Sequence, residues 1–242
     1  MLQRKKVLLS WSGGKDSAWA LHTLRLDPRY EVCALLTTLN ERFGRVAIHG
    51  YREDLLDLQA AATGLPVWKT PLPYPCSNAD YEARMRAVCE RAVAEGFDAV
   101  AFGDLFLEDI RAYRIEKLAG TGLEPLFPIW GIPTDQLARQ MIAAGLRARI
   151  TCVNPKYLSA SFCGRVFDMD FLADLPATVD PCGERGEFHS VAYAGPMFAH
   201  PLQVEHTLTV EREGFIYGEI LPIARLVSTG EIAPTLIPYR TR

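Results

Sequence analysis

Nowhere do the 242 residues reach the roughly 18 uninterrupted apolar positions that a membrane-spanning helix needs. Charge of one sign is missing too. Lys and Arg number 26 against 29 Asp and Glu, a net of −3, which argues against a broad basic surface for nucleic acid and against disorder. The six cysteines include no C-x-x-C pair, so the short-range signatures of a structural zinc site or a redox motif are absent. Cys182, set among polar residues, is the cysteine most suited to a role. The opening MLQRKKVLLSWSGG is basic but its apolar stretch is too short for a signal peptide, so the expected address is the cytoplasm. Two nucleotide signatures also fail. In G-x-x-x-x-G-K-[ST], Leu9 stands where the first glycine belongs and Asp16 follows Lys15; G-x-G-x-x-G is absent altogether.

What remains is a chain that is 49% hydrophobic and long enough for a substantial core. Short apolar runs at 6–11, 31–39, 65–70 and 97–103 predict buried strands. Helical spacing between them includes Leu55, Leu58 and Ala62, ending at Gly64, and Tyr81, Met85, Val88, Cys89 and Ala92, with Ser77 or Asn78 as cap and Gly96 as terminator. This alternation predicts an α/β fold with a mainly parallel sheet flanked by helices. Past residue 120 the rhythm changes. A helix is expected at 134–144 and a strand at 146–153, and the segments from 187 onward alternate with period two, predicting a smaller α+β part with antiparallel strands and a hairpin at Glu213-Gly214. The expected division is 1–122 for the nucleotide and 123–242 for the substrate, with a cleft between them.

The most specific local feature is Ser12-Gly13-Gly14-Lys15-Asp16-Ser17, between the first strand and its helix. A glycine turn entering a helix aims backbone N–H groups and the positive end of the helix dipole at one point, where phosphate fits. Ser12 and Ser17 add hydroxyls and Lys15 a charge; Asp16 suits a helix cap or a carboxylate beside a metal ion. The competing reading is a Gly-Gly turn that only joins two elements.

The SGGKDS segment resembles the pyrophosphate loop of the ATP pyrophosphatases that cleave ATP between the α and β phosphates, among them GMP synthetase and NAD synthetase. GDLFLEDIRAYR (103–114), LEPLFPIWG (123–131) and DPCGERGEFHS (180–190) are similar to segments of the diphthine ammonia ligase family, extending the resemblance over about 5–200. Arg185 departs from the pattern, standing where a small or amide residue is expected. The resemblance implies the adenine nucleotide α-hydrolase-like fold, ATP and magnesium as cofactors, with Asp16 on the magnesium, and an amide ligation. In that reaction an acceptor carboxylate, on a protein or a metabolite, is adenylylated and then meets ammonia. It also leaves open thiolation of tRNA and a non-catalytic ATP-binding protein. No glutaminase residues are apparent, so free ammonia is the expected nitrogen source; a homo-oligomer is left open.

Site residues are assigned accordingly. Lys15, Asp16, Glu184 and Glu187 are the expected catalytic set. Residues 12–17 with Thr38, Gly103 and Asp104 are expected to hold ATP, Thr38 through its backbone near the adenine. Glu108, Arg111, Arg114 and His49 are the expected substrate contacts: Arg111 and Arg114, three apart, share a helix face that suits a carboxylate or phosphate. A solvated face pairing Glu108 with Arg111, a charged loop at 182–189 and structural roles for His49 and His189 are the alternatives.

Overall fold

The computed structural model describes residues 3–223, and the last residues of the segment predicted as the final strand (215–227) lie outside them. In chain order its elements are β1 (Lys5–Ser10), α1 (Lys15–Leu26), β2 (Tyr30–Asn40), β3 (Arg45–Val46), α2 (Glu53–Thr63), β4 (Val67–Leu72), α3 (Asn78–Ala94), β5 (Ala99–Ala101), α4 (Glu108–Leu118) and β6 (Glu124–Leu126). There follow α5 (Thr134–Ala143), β7 (Arg147–Val153), α6 (Met169–Asp174), β8 (Phe188–Ala194), β9 (Val204–Arg212) and β10 (Phe215–Pro222).

Two sheets result. The first has the order β3-β2-β1-β5-β6, with β4 on the free side of β2. All its pairs are parallel except β2 with β3. The chain therefore leaves β1 in one direction along the sheet and returns from β4 to the other side of β1 at β5. That reversal makes the β1/β5 junction a topological switch point, the usual position of ligands in open parallel sheets. The second sheet, β8-β7-β10-β9, is antiparallel throughout. Glu213 and Gly214 both take positive φ, 50° and 80°, as a two-residue hairpin turn between twisted strands requires.

Sequence explains the local ends. Ser77 and Asp80 form a reciprocal capping box at the start of α3, and Gly64, at φ 72°, closes α2 in the left-handed conformation. Helix α1 differs. Its N-cap is Gly14, without a side-chain hydrogen bond, so the expected cap role of Asp16 is corrected: that residue sits inside the first turn, and the first-turn amides are left for other partners.

The apolar residues form two clusters, one on each side of the first sheet. The larger runs from Val7 and Leu9 through Ala18 and Leu21 of α1 to Ile150, Val153 and Phe188 of the second sheet. The smaller gathers Leu8, Leu36, Val100 and Phe102 with Ala92 and Leu118. The alternation of Leu8 and Leu9 between the two follows from the strand period of two. Each fully buried Leu contributes roughly 2 kcal/mol, so the larger cluster binds the second sheet firmly behind the loop. No helix of the described residues is long and apolar enough to cross a membrane.

Candidate functional site

At the end of β1 the chain turns sharply, and Gly13 adopts φ 71°. A Cβ there would lie 1.9 Å from the Tyr51 hydroxyl, so glycine is required on both conformational and steric grounds. Gly14 is covered by the His49 ring, 2.8 Å from where its Cβ would stand. Gly103, just past β5, would press a Cβ to 3.0 Å from the backbone of Asp16 and Ser17. The loop and the β5 end therefore touch along their main chains at the switch point.

The loop is braced from three directions. Gln59 of α2, wholly buried, donates to the Gly13 carbonyl (2.9 Å) and to that of Ala192 in β8 (2.6 Å). The Tyr51 hydroxyl donates to the Ser12 carbonyl (3.0 Å), and the Ala192 amide donates to that of Gly13 (2.8 Å). Thr37 donates its hydroxyl to the Trp11 carbonyl (2.7 Å). The Gly14 and Lys15 amides meet only serine hydroxyls, of Ser12 at 3.3 Å and Ser190 at 3.2 Å, long bonds that an anion can displace. The Ser12 and Ser17 hydroxyls lie 3.2 Å apart, and that of Ser17 donates to the Gly14 carbonyl (3.0 Å).

Lys15 is 2% exposed. Its ammonium donates to Asp16 (2.8 Å) and to the Cys182 carbonyl, and lies over the rings of Phe188 (5.2 Å) and Phe167 (5.6 Å). Burial opposes its charge, but Asp16 and the other acidic neighbours outweigh it and hold the lysine protonated. Burial pushes the Asp16 carboxyl up against the pull of Lys15, and its Oδ1 is buried with no hydrogen-bond partner.

The 180–187 loop brings the next carboxylate. Asp180 shapes it, accepting from the amides of Cys182 (2.9 Å) and Glu184 (3.3 Å) and from the Thr134 hydroxyl (2.6 Å). Glu184 accepts from the Leu105 amide (2.8 Å), and burial, with Asp16 and Asp104 adding to it, pushes its carboxyl up to about 7. Glu187, expected beside it in catalysis, points elsewhere: it is 1% exposed and accepts from the amides of Asp180 (3.1 Å) and Arg185 (2.9 Å), within its own loop. Arg185 is exposed and lies over Phe106, 5.3 Å from the ring centre. Cys182 is buried and its thiol is pushed well above the usual range by burial, so its carbonyl, not its sulfur, serves the site.

Other expected residues fall at different places. The Thr38 carbonyl, expected near adenine, is occupied by the Ala47 amide (3.1 Å). His49 sits over the loop with Nδ1 3.0 Å from the Ser190 carbonyl, a contact that requires Nδ1 to carry the hydrogen. Its ring lies 4.9 Å from that of His189. Burial pushes the two down to about 4 and about 3, so both are neutral at physiological pH. Asp104, pushed up by burial, lies 3.5 Å from Arg114. Arg111 and Arg114 share a face as expected, but both stack on aromatics: Arg111 over Trp130 (4.8 Å) and Phe127 (5.4 Å), Arg114 over Phe102 (4.8 Å). Glu108 is exposed and 3.9 Å from Arg111.

Two family models match the chain, the diphthamide synthase N-terminal domain over residues 5–123 and the diphthamide synthase C-terminal domain over 133–228. The chain belongs to the diphthamide synthase family. It is thereby a member of the PP-loop ATP pyrophosphatase group, whose members use ATP. No curated protein sequence matches it significantly. Sequence reasoning missed Gln59, Tyr51, Asp180 and Ser190 as braces of the loops. Ser190 lies inside the 180–190 segment, but nothing in the spacing links Gln59 to Gly13.

Proposed function

We propose that the chain is an ATP-dependent amide ligase that adenylylates an acceptor carboxylate and transfers ammonia to it. The observation that carries this reading is the meeting of three parts at the switch point: the 12–17 loop, the Gly103–Asp104 turn and the Glu184 carboxylate. In the proposed reaction the loop amides and the Ser12 and Ser17 hydroxyls hold the outer phosphates. Fixed donors of this kind commonly contribute a few kcal/mol each to stabilising charge that grows in the transition state. Lys15, fixed by Asp16 and Cys182, adds its field from behind the loop.

Magnesium fits one side of this arrangement. The unpartnered Oδ1 of Asp16 is a hard oxygen donor beside the loop, whereas Asp104 Oδ2 faces Arg114 Nε at 3.5 Å. Among the described residues no group of three His, Cys, Asp or Glu is arranged to hold an ion by itself. Magnesium there would be held by the Asp16 carboxylate and the substrate phosphates. Bound there, the ion would neutralise phosphate charge.

The acceptor carboxylate attacks the α phosphorus and pyrophosphate leaves. Ammonia then attacks the acyl carbon, AMP departs and the nitrogen loses a proton. Glu184, poised near neutrality, is the base placed to take that proton. Glu187 holds the loop that carries Glu184 and acts as a positioning residue. The division of labour proposed is ATP on the first part and the acceptor between it and the second. A screen for pyrophosphate release with ATP, ammonium and a library of carboxylic acids tests the reading. Release that needs both ammonium and one acid supports it; the same release from a Glu184→Ala, Lys15→Ala double variant contradicts it.

A further inference from the structure

On the face of the first sheet opposite α1, helix α3 covers the strands only in part, Met85, Val88 and Cys89 being partly buried against them. Its stripe of Tyr81, Met85, Val88, Cys89 and Ala92 follows helical spacing, yet Ala92 is the only buried residue of its 17. Leu8, Leu36, Val100 and Phe102 of the sheet face it, and α4 forms the opposite wall. The crevice between them encloses about 660 Å³, within the ~300–1,000 Å³ of ordinary small-molecule sites. An apolar cleft left unfilled forfeits roughly 25 cal/mol for each Å² that a ligand would cover.

The charges on its walls are not alike. Lys117 pairs with Glu82 at 2.8 Å and ties α4 to α3. Arg114, beside Phe102, turns its buried Nε to Asp104 Oδ2 at 3.5 Å, and its two outer nitrogens make no hydrogen bond with a described residue. A guanidinium has five N–H donors in a planar fork that matches a carboxylate. Arg114, paired with Asp104 through its Nε, thus keeps its outer nitrogens beside an apolar floor.

We propose that the crevice between α3 and α4 binds a small molecule with an apolar body and one carboxylate, which Arg114 receives. Asp104, the partner of Arg114, follows Gly103, which touches the loop, and its charge is felt at Glu184. The crevice lies wholly within the first part, on the sheet face opposite α1, so it is a second site apart from the acceptor's place between the two parts and does not rest on the ligase reading.

The probe is 8-anilinonaphthalene-1-sulfonate, whose sulfonate stands for the carboxylate, with uncharged N-phenyl-1-naphthylamine as the matched body. Fluorescence titration of the full chain should give one saturable site. Arg114→Gln should weaken the anionic probe about tenfold, the loss of one charge-assisted contact, and leave the neutral probe within about twofold. Val88→Trp, filling the crevice, should weaken both about tenfold while ATP still raises the melting temperature. Binding unchanged in both variants overturns the site. Should Val88→Trp not fold, saturating anionic probe must slow alkylation of half-buried Cys89 about fivefold or more relative to exposed Cys76; equal protection overturns the site. Probe and ATP bound together support a second site, and displacement of the probe by ATP overturns it. A wild-type chain that ATP does not stabilise sinks the ligase reading and leaves the crevice standing.

Discussion

The two sides of the switch point differ in how completely their polar groups are matched. Around the loop, the Gly13 carbonyl receives donors from Gln59 and Ala192, the Ser12 carbonyl one from Tyr51, and Lys15 is enclosed by Asp16, Cys182 and two rings. Across the junction, Arg111 Nε is buried without a hydrogen-bond partner, and Arg114 Nε meets Asp104 Oδ2 only loosely, at 3.5 Å. Unmatched or loosely matched buried polar atoms are costly, and a bound ligand is one way to satisfy them. The loop side is a mould closed except at Asp16 Oδ1, and the β5–α4 side is more loosely paired.

The largest effect should come from breaking the mould. Gly13→Ala brings a methyl into Tyr51 at a positive φ and should abolish the rise in melting temperature with ATP, at a stability cost of about 3 kcal/mol or more in denaturant titration. Lys15→Met should come next. It leaves Asp16 buried without its cation and should cost about 3 kcal/mol, with part of the loss recovered at low pH as Asp16 takes up a proton.

Glu184 tests the junction itself. Its carboxyl is raised to about 7, above an unfolded value near 4.3, so the protonated form is favoured by the fold. Stability from this group is present in full below about pH 4 and is lost as pH rises through 7. Glu184→Gln should remove that dependence, and its advantage over the wild type should grow by about 2 kcal/mol between pH 4.5 and 8 in paired urea titrations. The smallest effect belongs to the open side. Arg111→Ala removes a half-exposed cation from Phe127 and Trp130, so it should cost about 1 kcal/mol or less and leave ATP stabilisation unchanged.

The same contrast explains what was legible in the sequence. Strand and helix periods, the Ser77 cap, the Gly64 terminator and the Glu213-Gly214 hairpin are local, and each is visible in a few neighbouring residues. The glycine loop is legible for the same reason, since its chemistry is contiguous. The bracing is not, because Gln59, Tyr51 and Ser190 reach the loop only through the packing of α2 and β8 against α1. Glu184 and Glu187 look equivalent in a glycine-spaced pair, and the fold separates them: one faces Leu105 and the junction, the other turns inward to its own loop. Arg111 and Arg114 share a face as their spacing requires, but the aromatic rings beneath them come from Phe102, just past β5, and the 127–130 turn, which helical spacing cannot reveal.

The central claim is that the 12–17 loop holds the outer phosphates of ATP. Calorimetric competition between ATP, AMP and inorganic pyrophosphate tests it most directly. Pyrophosphate should bind alone, compete with ATP and lose its affinity in Ser17→Ala, while AMP leaves pyrophosphate binding intact. ATP that binds with full affinity in the presence of saturating pyrophosphate would contradict the account.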